Sequence, residues 1–402
     1  MTKRHEFSLL GRILSFDPES VQPMAEALDV PGINSMALDV SGNCNLRCTY
    51  CAESATMPVR EKMPNELIDL ALCKLFSWSP PGTAVSIHLG SGEPLLQTKS
   101  VLEIGQKANN LAKDRNHTLS LHLTTNGTML NDSIVQDLIN GGWNIKVSID
   151  GPEAVHDRYR LDKNGKGTHK KIEKYVKYLS MQIPDRFSTT SVLCRNADPG
   201  LVFSEIASMG VRRIELVPVA LPGSTPLSLT SEDMLTYREF ITDYAKRLAA
   251  GEDLPIHIRF LKRLQRVLGY NNACIPCGAG RNFLAVGPDG TLYPCFRFVG
   301  LENYRLGDLH SGPLKGSVQN FIHESGRPYT ERVCSDCWAG PICGGPCFAC
   351  SELLWKGEPS PDYCSMVKSE GEAAIWLASV LREEDPHRLL ELIGVPLGDM
   401  RL

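Results

Sequence analysis

Ser41-Gly42-Asn43-Cys44-Asn45-Leu46-Arg47-Cys48-Thr49-Tyr50-Cys51 is the stretch whose reading decides the fold. Cys44, Cys48 and Cys51 form Cys-x3-Cys-x2-Cys. Three thiols packed this closely cannot pair without leaving one over, but they can grip one metal cluster. Cysteine thiolates are the usual protein ligands of an iron–sulfur cube. Three of them leave one of its four irons open to a substrate or cofactor. A zinc knuckle and a structural cluster are the alternatives at this point. Ser35 to Val40 (SMALDV) reads as a short buried strand. The triad then lies at a strand's C-terminal end, where α/β barrels keep their chemistry.

The rest of the chain bounds this reading. Its 402 residues suffice for two or three domains, and 42% hydrophobic with 22% charged residues describes a globular protein. A net charge of −4 offers no general attraction to nucleic acid or to an anionic membrane. No run is long and apolar enough to span a bilayer. The basic start MTKR precedes only a broken apolar stretch, so no signal peptide is expected. Fourteen cysteines without an export signal point to metal rather than disulfides, and to the cytoplasm.

Residues 1–34 read as a lead-in with scattered apolar positions (Phe7, Leu9, Leu10, Ile13, Leu14) and three prolines, too short for an independent domain. Residues 35–229 alternate short apolar runs with amphipathic stretches. The expected strands are Ser35–Val40, Ala84–Leu89, Leu119–Thr124, Asn144–Ile149, Phe187–Leu193 and Arg213–Val217. Helical patterns lie between them, at Asn65–Phe76, Lys99–Arg115, Asp132–Gly141, Thr168–Met181 and Leu201–Met209. Six strands alternating with helices predict a parallel sheet with right-handed crossovers, a partial (β/α)6 TIM-like barrel too small to close. Residues 230–271 hold a long helix capped by Thr230 or Ser231. Residues 272–364 are dense in Cys, Gly and Pro and need staples to fold. Residues 365–402 return to helix, with Ala373, Ile375, Trp376, Ala378 and Leu381 expected to pack inward. Cys73 reads as a buried small hydrophobe.

The triad spacing, with Tyr50 just before the last cysteine, resembles the signature of the radical S-adenosylmethionine (SAM) enzymes. That resemblance implies the same partial barrel. It also implies a [4Fe–4S] cube whose open iron chelates the methionine end of SAM, yielding a 5′-deoxyadenosyl radical that abstracts hydrogen. Gly90-Ser91-Gly92-Glu93-Pro94 stands where the family has a GGEP-like motif, with Ser91 departing from it. Glu93 would then meet the methionine ammonium. Thr124-Thr125-Asn126-Gly127 resembles a TNG motif that places Asn126 toward the cofactor. Ser148 is placed to bond the ribose and Val217 to wall the adenine, while Arg160 suits the methionine carboxylate as a bidentate partner; Arg158 is the competing choice, and the resemblance points to Arg160. Asp150 reads instead as the cap of the next turn.

The cysteine-rich stretch resembles the SPASM domain, which carries two auxiliary [4Fe–4S] clusters. Its pattern is Cys277-x12-Gly290-x4-Cys295, then Cys334-x2-Cys337-x5-Cys343-x3-Cys347, then Cys364. The resemblance implies Cys274, Cys277, Cys295 and Cys347 on the first auxiliary cluster. Cys334, Cys337, Cys343 and Cys364 would hold the second, and Cys350 is an alternate ligand. Enzymes of this kind modify peptides or proteins. The implied reaction is a C–C, C–S or C–O crosslink in a ribosomally made peptide. A separate leader-binding protein and a flavodoxin or ferredoxin electron donor are its implied partners. The layout also resembles the anaerobic sulfatase-maturing enzymes, which make formylglycine. Those enzymes place an aspartate base directly after the Tyr-Pro-Cys cysteine, where this chain has Phe296 and then Arg297. Phenylalanine cannot take a proton. Asp308 and Cys194 are the substitute catalytic candidates, while Asp289 reads as a turn. The Cys-Gly-Ala-Gly at Cys277 also occurs in mycofactocin-type decarboxylating maturases. A non-enzymatic iron–sulfur or zinc protein is the remaining class.

Overall fold

The structure, a computed structural model, describes residues 32–56, 61–221, 225–270 and 274–394. Most of the lead-in, and residues 395–402 of the tail, lie outside them. All six expected strands form, as β1 (Ser35–Leu38), β2 (Ala84–Leu89), β3 (Thr118–Thr125), β4 (Trp143–Ser148), β5 (Phe187–Leu193) and β6 (Arg213–Pro218). They pair in parallel in chain order. The alternation of side chains explains why. Val85, Ile87 and Leu89 in β2, or Ile145 and Val147 in β4, are buried against the outer helices. Ser86, His88, Asn144 and Lys146 turn the other way and stay partly exposed.

The helices begin where capping chemistry says they should. The Asn131 and Asp198 side chains accept from the amides of Ile134 and Leu201, and Thr230 forms a reciprocal capping box with Asp233. The helix Pro199–Ser208 starts two residues before the apolar pattern suggests, because proline is at home in a first turn.

The sheet does not stop at six strands. β7 (Ile256–His257) extends it beyond β6, and β8 (Phe283–Val286), from the cysteine-rich stretch, pairs in parallel with β1. β9 (Thr291–Tyr293), β10 (Gly307–Asp308) and β11 (Gly312–Pro313) continue it as antiparallel ribbons. The described sheet runs β11-β10-β9-β8-β1-β2-β3-β4-β5-β6-β7 and stays open. The cysteine-rich region is thus grafted directly onto the barrel's first strand.

A buried charge cluster ties the far side together. Glu370, on the helix Pro361–Glu384, is fully buried. It accepts from Arg259 Nε at 2.8 Å, Arg263 Nε at 3.1 Å and the Tyr237 hydroxyl at 2.9 Å. Arg263 also donates to the Ile342 carbonyl, beside Cys343. One carboxylate therefore joins the helices Ser231–Ala249 and Ile258–Val267 to the helix carrying Cys364.

Two expectations about exposure fail. Cys73 is exposed, because the buried stripe of Asn65–Trp78 runs through Ile68, Ala71, Leu72, Leu75 and Phe76 and leaves residue 73 outside. Trp376 is 41% exposed, while Ala373, Ala378 and Leu381 pack inward as read.

Burial pushes the Glu370 carboxyl up, but Arg259 and Arg263 outweigh it and hold it down to about 2. A lowered folded value gives stability that is full above the ordinary carboxylate range and is lost as pH falls through it. Glu370→Ala, leaving two buried guanidinium groups unpaired, should cost about 3–5 kcal/mol. Glu370→Gln should flatten the decline in stability between about pH 4.5 and 2. Urea unfolding across that range is the measurement.

Candidate active site

From Asp39 to Cys51 the chain wraps the C-terminal end of β1. Asp39 Oδ1 accepts from the Gly42 amide at 3.1 Å, and the Cys51 amide closes a turn on the Cys48 carbonyl at 3.1 Å. The Arg47 and Thr49 amides donate to the carbonyls of Leu161 and Tyr159 at 2.8 and 3.0 Å. The Gly90–Glu93 loop crosses directly above. The Glu93 amide donates to the Asn43 carbonyl at 2.9 Å. Gly92 has φ +57°, and a Cβ there would meet the Asn43 oxygen at 2.2 Å. Only glycine fits. Glu53 Oε2 accepts from the Gly92 amide at 2.9 Å, a clasp the sequence reading missed although Glu53 follows the triad closely.

The three thiols share one electrostatic neighbourhood. Burial raises Cys44, and Glu93 and Cys51 add to it. Burial pushes Cys48 up to about 11, with Arg160 opposing and Cys51 and Cys44 adding. Three anions here would repel one another, and a cationic iron cluster relieves that repulsion. N–H donors already face two sulfurs. The Leu46 amide lies 3.4 Å and Asn126 Nδ2 3.7 Å from Cys44 Sγ, and the Ser54 amide lies 3.5 Å from Cys51 Sγ. Such donors tune iron–sulfur centres. Among the described residues no three His, Cys, Asp or Glu converge on a single-ion position. A cube needs no such point, since each iron takes its own thiolate. The donor set fits the cube.

Two of the residues expected to face SAM, Glu93 and Asn126, bond directly to this loop. Glu93 is fully buried. Its carboxylate accepts from the Leu95 amide at 3.0 Å, the Thr125 hydroxyl at 2.7 Å and the Asn126 amide at 2.7 Å. Three of about four lone-pair directions are therefore spoken for. Asn126 also bonds Asn45 at 2.9 Å, and Asn45 reaches Thr128 at 2.8 Å. Ser148 is buried at the end of β4, and Val217 is half-buried in β6.

Asp150 is not a turn cap. It accepts from Arg160 Nε at 3.0 Å, from the Val192 amide at 3.0 Å, and from the Tyr50 hydroxyl. Arg160 stacks over the Tyr50 ring, 5.5 Å from its centroid. Tyr50, Asp150 and Arg160 thus form one buried unit beside Cys48. Sequence spacing hides it, because its members come from three separate loops.

Both catalytic candidates fall away. Asp308 accepts from the amides of His310 and Ser311 and from the Ser311 hydroxyl, so it caps a tight turn. That turn is on the outer ribbon, where Lys74 Nζ reaches the His310 carbonyl. Cys194 is fully buried, and burial pushes its thiol up to about 12, with Asp150 adding. Asp289 bonds Thr291 and is a turn, as read.

Phe296 packs partly buried against the core. Arg297 lies in a recess with Glu53, Ala52, Ala349, Leu353 and Leu354, between the first loop and the cysteine-rich region. Its Nη1 is 3.4 Å from Cys350 Sγ. Cys343 and Cys337 act on the thiol of Cys334, and all three act on that of Cys364, so the four lie near one another. So do Cys277, Cys295 and Cys347, joined by Cys350. Cys274 registers burial alone, and its neighbours 271–273 are outside the described residues.

Residues 38–197 match the Radical SAM superfamily. The chain is a radical SAM enzyme, and such enzymes work with SAM and a [4Fe–4S] cluster. It is homologous to the anaerobic sulfatase-maturating enzymes. The cysteine-type enzyme of Clostridium novyi (strain NT) is 25% identical over 354 residues, 82% of this chain and 91% of that one. In fold it resembles native anSMEcpe with bound AdoMet and Cp18Cys peptide, with TM-score 0.71 and 23% identity over 87% of this chain and 99% of that one. It also resembles Streptococcus suis SuiB bound to its precursor peptide SuiA, with TM-score 0.55 and 16% identity over 82% and 74%. Among the described residues no helix is long and apolar enough to cross a membrane.

Gly92→Ala forces the two crossing loops apart and should cost about 1–3 kcal/mol of strain. Anaerobically reconstituted, it should lose the iron of the first cluster, read as a loss of about four irons per chain.

Proposed function

We propose that this enzyme is a peptide maturase that installs a C–C, C–S or C–O crosslink in a ribosomally made peptide. The observation that carries the reading is residue 296. The Tyr-Pro-Cys turn that bears an aspartate base in the resembled sulfatase-maturing enzymes here bears a half-buried phenylalanine. Neither Asp308 nor Cys194 is placed to replace it. A formylglycine-forming enzyme must deprotonate its Cys or Ser target.

With the cube and SAM bound, the site supplies a 5′-deoxyadenosyl radical for hydrogen abstraction. The chain's own residues position and shield. Cys44, Cys48 and Cys51 hold the cube. Gly92 lets the SAM-facing loop approach, and Glu93, locked by three donors, presents its remaining lone pair to the methionine ammonium. Arg160 commits Nε to Asp150. Its terminal nitrogens, without a hydrogen-bond partner among the described residues, are left for the methionine carboxylate. Tyr50 and Asn126 line the cofactor's edge, Ser148 meets the ribose and Val217 the adenine. Cys334, Cys337, Cys343 and Cys364 would hold one of two auxiliary clusters, which would supply a path for electrons. The other is on Cys277, Cys295 and Cys347 with Cys274 or Cys350. A flavodoxin or ferredoxin supplies electrons, a separate protein presents the leader, and the setting is cytoplasmic.

Formylglycine formation is the second reading, favoured by the names of the homologues. A hydrazide probe separates the two. Co-expressed with the peptide or sulfatase encoded beside it, the enzyme should yield a product that no hydrazide labels. A labelled aldehyde on Cys or Ser overturns the crosslinking reading.

The reconstituted protein should hold about twelve irons, four per cube. Cys44→Ala should abolish 5′-deoxyadenosine formation, whereas Cys337→Ala should abolish product and keep part of the cleavage. Iron counts decide the disputed ligand: whichever of Cys274→Ala and Cys350→Ala loses auxiliary-cluster iron identifies it.

A further inference from the structure

The barrel lumen is charged where a small closed barrel would be filled with branched apolar side chains. Lys146 in β4 and Glu215 in β6 meet across it at 2.7 Å, with 31% and 17% of their side chains exposed. His88 in β2 and His122 in β3 stack face to face, with centroids 4.6 Å apart and planes 7° apart. Burial lowers the pKa of both rings and Lys146 adds to that, so both stay neutral, His88 lowered to about 4. Lys262, on the helix Ile258–Val267, completes the group. It lies in the fields of Glu215 and Lys146 but makes no ion pair or hydrogen bond among the described residues. Solvent reaches Lys262, yet surrounding protein lowers its pKa.

Two ammonium groups and one carboxylate leave an excess positive charge. The neighbouring guanidinium groups do not cancel this excess, since Arg259 and Arg263, which also act on Lys262, share the single carboxylate of Glu370. The charged layer sits one step below the residues assigned to SAM. Lys146 and Glu215 lie two residues before Ser148 and Val217 on the same strands, about 7 Å deeper. SAM's own methionine carboxylate belongs with Arg160, above that layer.

We infer that the lumen between Lys146 and Lys262 is a binding site for a carboxylate of the peptide substrate, holding it beneath the cofactor with the His88–His122 pair as a neutral wall. The inference rests on the peptide reading of the previous subsection. An Asp or Glu side chain and a free C-terminus supply the same chemistry.

The test uses the reconstituted holoenzyme with SAM, a reductant and pools of short synthetic peptides. One pool carries Asp and Glu with amidated C-termini. A second carries Asn and Gln with free C-termini. A third has neither carboxylate. The readout is 5′-deoxyadenosine formation relative to each protein's own peptide-free rate. A carboxylate pool should raise it at least about fivefold over the third pool, and whichever of the first two responds names the source. Lys262→Met should remove that difference, and Lys262→Arg should restore most of it. Because Lys262 is solvent-exposed, these variants should fold, as Lys146→Met, which strands Glu215, need not. Equal stimulation by all three pools, or an undiminished carboxylate preference in Lys262→Met, overturns the site but leaves the peptide reading standing. No stimulation by any pool while SAM is still cleaved overturns this site and leaves the peptide reading to the hydrazide test on the co-expressed substrate.

Discussion

Two loops pass so close at the mouth of the barrel that a single methyl group on residue 92 would strike the carbonyl of Asn43. Much of the site follows from that crossing. It brings the Glu93 amide onto the cysteine loop and turns the Glu93 carboxylate into the core, where Thr125 and Asn126 tether the end of β3. Asn126 in turn reaches Asn45 and the edge of Cys44. The triad is held by backbone bonds on one side and by this relay on the other. Its thiols are therefore preorganised, and their mutual repulsion is the part that an iron cube relieves.

A second constraint works from behind. Glu370 would be untenable alone in the core, and so would Arg259 or Arg263. Together they fasten the helix bearing Cys364 to the last barrel helices and, through Arg263, to the turn bearing Cys343. β8 fastens the other side of the same region to β1. The cysteine-rich region is thus held from two directions by the barrel. Arg297, between Cys350 and Glu53, occupies the seam where the two regions face each other.

The openness of the sheet connects this frame to chemistry. Because β7 and β11 leave it unclosed, the interior need not be filled with packed branched side chains. Polar groups survive there, partly solvated, and a guest can enter. Lys146, Glu215 and the two stacked histidines would be costly in a sealed core.

Much of this was legible in one dimension. The triad, the GSGEP loop, the six strands and the cysteine spacings are local patterns, set by alternation, capping and the reach of a few residues of chain. β2 and β5 have the ends their apolar runs predict. Contacts between distant segments were not legible. Asp150 looked like a turn residue until the fold brought it between Tyr50 and Arg160. Asp308 and Cys194 looked chemically able, until one was placed in an outer turn and the other in the core. Cys73 lies one step off its helix's buried stripe, an offset of about 100° that spacing resolves poorly. Sequence alone determined which groups are available and in what local order. Only the tertiary structure decided which of them share a buried space, because burial and charge pairing are properties of neighbours in space, not neighbours along the chain.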